Sequence, residues 1–294
     1  MISILIPTYN YNVYPLVIEI HKQFDKTGID FEILVYDDGS TKTFDSNLLL
    51  KELKKVHYKV LSENIGRIGI RMKLANDAKY PYLLFMDADV FPKDRFFAVK
   101  LLQQINDNRA DVYFGGINVA EQPPSPDKTL RWKFGKNREN LPVKERQKFP
   151  YRSILCGTVC IKKDIFLTDI QIMKNINRYG LDTLFSYQLK KNKRSIVHFH
   201  NPVIHLGLET NEAFVEKTEK AVETIHYLVQ QKLLPEQHIK LTRTAEKFIN
   251  YIPVQLCLLL YKSLKKILRN NLTSKQASLF VFDIYKLLYY CQLK

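Results

Sequence analysis

Residues 2–9 are apolar and β-branched and run into Pro7-Thr8-Tyr9-Asn10, the pattern of a buried strand that opens into a loop. The spacing then predicts a helix over residues 13–25, a second strand over 31–36 ending at Asp37-Asp38-Gly39-Ser40, and a helix over 48–56. A third short run at 59–61 stops before Asn64-Ile65-Gly66-Arg67, a helix follows over 70–78, and a strand at 82–86 ends at Asp87-Ala88-Asp89. Each strand delivers polar residues at its C-terminal end. This alternation predicts an α/β fold with a mostly parallel sheet covered by helices on both faces. Ligands of such sheets bind outside the carboxyl ends of the strands, where these polar clusters would converge.

Farther on, residues 111–117 and 153–161 read as strands, 181–191 as a helix and 195–199 as a last strand that closes on Asn201-Pro202-Val203-Ile204-His205. His198 and His200 alternate with apolar residues there and read as structural. Residues 121–150 hold the only tryptophan, Trp132, in a Pro-rich basic stretch without apolar periodicity, so they are expected to be a functional loop or disordered. From about residue 212 the pattern is helical to the end, without an internal repeat.

A chain of 294 residues with 46% hydrophobic content can bury a large core, as one large domain or two small ones. No basic leader or small-residue cleavage site accompanies the first apolar run, so a cytoplasmic protein without a secretory signal is expected. The longest apolar stretch, residues 251–261, is interrupted by Pro253 and Gln255 and is shorter than the ~20 residues of a spanning helix. Four scattered cysteines do not make a disulfide framework; Cys156 and Cys160 lack partners for a zinc site and read as buried thiols. The net charge is +15, of which +8 falls from Lys232 onward, so an anionic partner is implied: nucleic acid, lipid or a phosphorylated substrate.

Two carboxylates at the exit of a buried strand, Asp87 and Asp89, can hold a hard divalent cation against a diphosphate, although Asp-x-Asp also serves as a turn. Asp37 and Asp38 could accept hydrogen bonds from a base or ribose, or form a solvated turn. Arg67 and Arg71 share one helix face and could clamp a diphosphate or form a surface ion-pair face.

Taken together, Ile2-Ser3-Ile4-Leu5-Ile6-Pro7-Thr8-Tyr9-Asn10, Val35-Tyr36-Asp37-Asp38-Gly39-Ser40, Glu63-Asn64-Ile65-Gly66-Arg67 and Tyr82-Leu83-Leu84-Phe85-Met86-Asp87-Ala88-Asp89 resemble, in order and spacing, the family 2 glycosyltransferases of the GT-A fold. Tyr179-Gly180-Leu181-Asp182 and Asn201-Pro202-Val203-Ile204-His205-Leu206-Gly207 resemble two later segments of that family. The resemblance implies an inverting transfer of sugar from a nucleotide-diphosphate donor to a hydroxyl of a glycan or glycolipid, as in cell-surface polysaccharide synthesis. It implies that Pro7, Thr8, Tyr9, Asp37, Asp38, Asn64, Gly66, Arg67, Arg71 and Asp87 bind the donor. Asp87, Asp89 and His205 would hold Mn2+ or Mg2+, and Asp182 would be the general base. Leu181 stands where the family usually has Glu, which leaves acceptor identity open. By the same resemblance residues 1–211 form the catalytic domain, 1–110 its nucleotide-sugar half and 111–211 its acceptor half, with a basic helical region over 212–294.

In that basic region Leu260, Leu264, Ile267 and Leu268 fall on one helix face and Lys262, Lys265, Lys266 and Arg269 opposite. Such a helix suits peripheral contact with the anionic inner face of the plasma membrane, or simple packing on the catalytic domain. Tail aromatics from Phe280 to Tyr290 suit either. Three other functions compete: a catalytically inactive family member acting as a binding subunit, a nucleotidyltransferase, and a nucleic-acid-binding protein using Arg131-Trp132-Lys133. A nucleotidyltransferase would want a Gly-rich phosphate loop where Pro7-Thr8-Tyr9-Asn10 stands. Nucleic-acid binding is disfavoured because no nucleic-acid module is present and the strand-end acids would repel phosphates, so no nucleic-acid partner is expected.

Overall fold

A computed structural model describes residues 1–107, 109–152, 154 and 157–294. The first part of the chain forms β1 (Ile2–Thr8), α1 (Tyr14–Asp25), β2 (Phe31–Asp37), α2 (Asp45–Leu48), β3 (Val56–Val60), α3 (Gly66–Asp77), β4 (Tyr82–Met86), β5 (Val90–Pro92) and α4 (Phe97–Asp107). There follow β6 (Val112–Phe114), β7 (Ile117–Val119), α5 (Thr129–Phe134), α6 (Val143–Lys148), β8 (Thr158–Lys162), α7 (Lys163–Ile170), α8 (Asp182–Lys191), β9 (Ile196–His198) and β10 (Val203–His205). The chain ends in α9 (Asn211–Gln230), α10 (Lys240–Tyr251), α11 (Val254–Thr273) and α12 (Leu279–Gln292).

Among the described residues, seven strands form one sheet in the order β3-β2-β1-β4-β8-β6-β9, and β5-β10-β7 form a second, three-stranded sheet. β3, β2, β1 and β4 are mutually parallel; β8 runs against both β4 and β6. The α/β class and the largely parallel sheet are those the periodicity predicts. From β1 the chain steps outward to β2 and β3, then returns through α3 to β4 on the other side of β1. Right-handed crossovers therefore set α1 and α3 on opposite faces and leave a topological switch point between β1 and β4. Ile4, Ile6, Val17, Ile20, Ile33 and Leu84 form part of the core between sheet and helices.

Four elements differ from the sequence pattern, each for a local reason. The helix expected over 48–56 stops early, because Lys55 takes a left-handed turn (φ 65°) that brings Val56 into register with Ile33. The strand expected over 111–117 is cut into β6 and β7 at Gly115-Gly116, where a Cβ on Gly115 would collide with the Asn201 carbonyl. Residues 121–150 are not a loop: they fold into α5, α6 and shorter helical turns. The strand expected from 153 begins at Thr158; Ser153, Leu155 and Cys156 lie outside the described residues, so the thiol reading is met by buried Cys160, Cys257 and Cys291 alone. His198 is buried in β9, whereas His200 lies past the strand and is exposed, so the structural reading of His200 is corrected.

Arg146 anchors α6, the later part of the 121–150 segment, in the first unit. Its guanidinium, only 2% exposed, donates to the carbonyls of Phe114 (2.9 Å), Phe199 (2.8 Å) and Leu141 (3.1 Å) and sits 3.3 Å from His198 Nδ1. Burial lowers its pKa to about 10, so it stays charged at neutral pH. Arg146→Ala would orphan these acceptors, and a loss of about 3–5 kcal/mol in denaturant unfolding is the expected result.

The chain divides into two compact units. The first comprises Met1–Val119, Glu139–Asn177 and Gln188–Gly207; the second comprises Ala120–Arg138, Arg178–Tyr187 and Leu208–Lys294. In the second unit Leu130 of α5 is buried in one cluster with Val215, Tyr261, Phe282 and Tyr285, which is why α5 groups with the C-terminal helices. Arg131 pairs with Glu209 and the Lys133 ammonium donates to the Ala277 carbonyl, so these cations are engaged within their own unit.

Candidate active site

The loops leaving β1 and β2 are laced together. The Asp38 amide donates to the Thr8 carbonyl (2.9 Å), and the side-chain oxygen of Asn10 accepts from the amides of Thr41 (2.9 Å) and Lys42 (2.8 Å). Asp37 accepts from the Ser40 amide (2.8 Å) and the Tyr58 hydroxyl (3.3 Å). Asp38 accepts from the amides of Ile65 (2.8 Å) and Gly66 (3.1 Å) and so fixes the start of α3; Asn64 also accepts from Gly66. Both acids are buried, and each carboxylate keeps lone pairs beyond those bonds for a ligand donor. Pro7 is half-buried, Thr8 is buried and Tyr9 is exposed. Gly39 must be glycine: φ is +70° and a Cβ would press within 2.9 Å of the Glu63 backbone.

From the first two turns of α3 two arginines reach the exit of β4. Arg71, buried, makes a short ion pair with Asp87 Oδ1, and Arg67, half exposed, lies 3.8 Å from Asp87 Oδ2. Arg71 Nη1 donates to the Arg67 carbonyl, while its buried Nε has no partner. That orphaned donor, on one of two neighbouring cationic side chains, suits an anionic group larger than one carboxylate. Asp87 itself is seated by its amide bond to the Gly157 carbonyl (2.6 Å), and a Cβ at Gly157 would collide with Asp87 Oδ2.

Asp89 meets His205. Antiparallel pairing of β5 with β10 sets Val90 opposite His205, and Nε2 of His205 lies 3.1 Å from Asp89 Oδ2. Burial works to raise the Asp89 carboxyl, but the His205 hydrogen bond and charge, a backbone bond and the field of Arg67 outweigh it and hold the group below the usual carboxylate range. The same acid, after burial, pushes the Tyr11 phenol up. Gly207 lines the other side, since a Cβ there would strike Asp89 Oδ2.

Two of the three expected metal ligands, Asp89 and His205, are thus brought together, while Asp87 is turned to the arginines. Among the described residues no group of three or more His, Cys, Asp or Glu side chains could hold a metal ion. A carboxylate and an imidazole, with Gly207 beside the carboxylate, fit Mn2+ or Mg2+, because such ions take one or two protein ligands and complete their shell with substrate phosphates and water. Asp182 opens α8 and is half-buried, after buried Leu181 and Gly180, whose φ of +87° and close approach to Ala221 exclude a side chain. It belongs to the second unit, whereas the other candidate residues belong to the first. Asn10, which takes a left-handed turn (φ 52°), and Gly157 and Gly207 join the site only through contacts between distant segments, for which the sequence carries no local signal.

A parallel sheet with a switch point, and acids and arginines at its strand ends, suits a phosphorylated ligand. The chain matches glycosyl transferase family 2 over residues 3–166 and belongs to that family, and its fold is the GT-A fold implied by the motifs. No curated protein matches it. A similar solved structure is the crystal structure of S. aureus TarS 1-349, with 18% identity, 98% of this chain and 90% of that chain covered, and a TM-score of 0.49. Family membership implies a nucleotide-sugar donor and a glycan acceptor.

Proposed function

We propose that the chain is an inverting, metal-dependent glycosyltransferase that moves a sugar from a nucleoside diphosphate donor to a hydroxyl of a glycan or glycolipid in cell-surface polysaccharide synthesis. It would work in the cytoplasm at the inner face of the plasma membrane. The observation that carries the reading is the Asp89–His205 pair (3.1 Å) in the same unit as the Arg67–Asp87–Arg71 cluster, because these groups suit a diphosphate and its cation. Bound Mn2+ or Mg2+ would neutralise charge that grows on the departing diphosphate. Arg67 and Arg71 would hold the diphosphate oxygens, and the loops of Pro7 to Tyr9, Asp37 and Asp38, with Asn64 and Gly66, would hold the nucleoside. Asp182 would take the proton from the acceptor hydroxyl as its oxygen bonds to the anomeric carbon. The bond to the diphosphate breaks with its electron pair leaving on the nucleotide, and single displacement inverts the anomeric centre.

The test is transfer itself. Purified protein is offered UDP-, GDP- and dTDP-sugars with oligosaccharide and lipid-linked acceptors, and nucleotide release and product configuration are followed by NMR. Acceptor-dependent release with inverted configuration is expected. Retained configuration would overturn the single-displacement step, and donor binding without turnover across the panel would favour a binding subunit.

A further inference from the structure

The amphipathic reading of α11 assigns its apolar face to Leu260, Leu264, Ile267 and Leu268. In the structure Leu260, Leu264 and Leu268 pack against the second unit's own core, around Tyr261, Leu272 and Phe282. That face is covered. Arg269, one of the four cations, is also spent internally, on Glu216 (3.5 Å) and Glu219 (3.2 Å).

A different face is open. Leu256, Leu259 and Ile267 are 44%, 59% and 67% exposed, and with exposed Ser263 they recur at intervals of three and four, which makes them one stripe along the helix. Lys262 and Lys266, both exposed, follow the same interval along the adjoining strip, and the helix carries no acid from Val254 to Thr273. Tyr251, 88% exposed, ends α10 just ahead of this helix. Among the described residues no helix is long and apolar enough to cross a membrane.

The occupant of such a face must offer apolar surface and negative charge within one helix diameter. A second copy meeting the same face would set Lys262 and Lys266 against lysines with no acid on the helix to match them. Nucleic acid would satisfy the lysines and leave Leu259 and Ile267 in water. The headgroup boundary of an anionic bilayer satisfies both: aliphatic side chains enter the acyl edge while lysines reach lipid phosphates. We propose that α11 docks the chain in the plane of an anionic membrane through Leu256, Leu259, Ile267, Lys262 and Lys266. This deepens the membrane location proposed above by naming the surface that makes the contact, and it is independent of the donor chemistry.

The experiment sediments the full chain with vesicles of phosphatidylcholine alone or mixed with phosphatidylglycerol, and measures transfer to a water-soluble acceptor in parallel. Lys262→Gln with Lys266→Gln is expected to weaken partitioning to the anionic vesicles about 25-fold, from about fivefold per lysine. Leu259→Ser with Ile267→Ser is expected to weaken it at least about tenfold. Both pairs should leave soluble transfer unchanged, so loss of docking and loss of catalysis are read separately. The proposal is overturned if either pair sediments like the parent, if neutral vesicles capture the parent as well as anionic ones, or if Leu259→Ser with Ile267→Ser abolishes self-association and leaves lipid binding intact.

Discussion

Asp182→Asn is expected to lower the rate of sugar transfer by about 10²–10⁴-fold while donor affinity stays within about twofold of the parent. Asn keeps the size and the hydrogen-bonding role of an acid at the first turn of α8, so the helix start survives. What it loses is the ability to accept a proton from the acceptor hydroxyl, a poor nucleophile without a base. Single-turnover transfer and a donor titration on the same variant separate the two effects. A collapse of donor affinity with unchanged turnover per bound donor would move the base elsewhere.

Asp89→Asn is expected to reduce transfer about 10³-fold, the scale of several kcal/mol that a polarising cation contributes. The substitution removes the anionic partner of His205, 3.1 Å away, and the carboxyl that His205 and Arg67 hold charged to unusually low pH. The fold should persist, because the Leu206 amide bonds to the Asp89 backbone carbonyl (2.8 Å), not to its side chain, and the β5–β10 pairing is unaffected. Assay in saturating donor across a manganese titration checks the outcome; full activity at any manganese level would remove Asp89 from the site.

The parallel core of the fold was legible because its signals are local. Ile2 to Ile6, Phe31 to Tyr36 and Tyr82 to Met86 are apolar runs that end in polar clusters, and the structure turns those clusters to one edge of the sheet. The Asp89–His205 meeting was legible only through family resemblance, since it depends on β5 and β10, three-residue strands too short to carry a period. No sequence signal tells that Asp87 faces Arg71 and Arg67, or that Gly157 and Gly207 make room for the two carboxylates, because those are contacts between distant segments. Arg146 hid in a segment read as loop: α6 is six residues long, and its buried guanidinium is stabilised by carbonyls rather than by apolar periodicity. On α11 the helix was legible and its packed side was not. A sequence reports which residues share a face, not which face the neighbouring helices cover, and Ile267 is left in solvent for that reason.

In the proposed reaction Asp89, His205 and the two arginines gather round the diphosphate of an activated sugar with its cation. Thermal unfolding of the parent and of Asp89→Asn, with each sugar nucleotide in manganese or in excess chelator, tests this most directly. At ligand near one hundred times its dissociation constant, about 2.7 kcal/mol of stabilisation is expected for the parent in manganese, and most of it should vanish in chelator and in Asp89→Asn. Equal stabilisation by the donor in chelator and in manganese, or in Asp89→Asn and the parent, would contradict it.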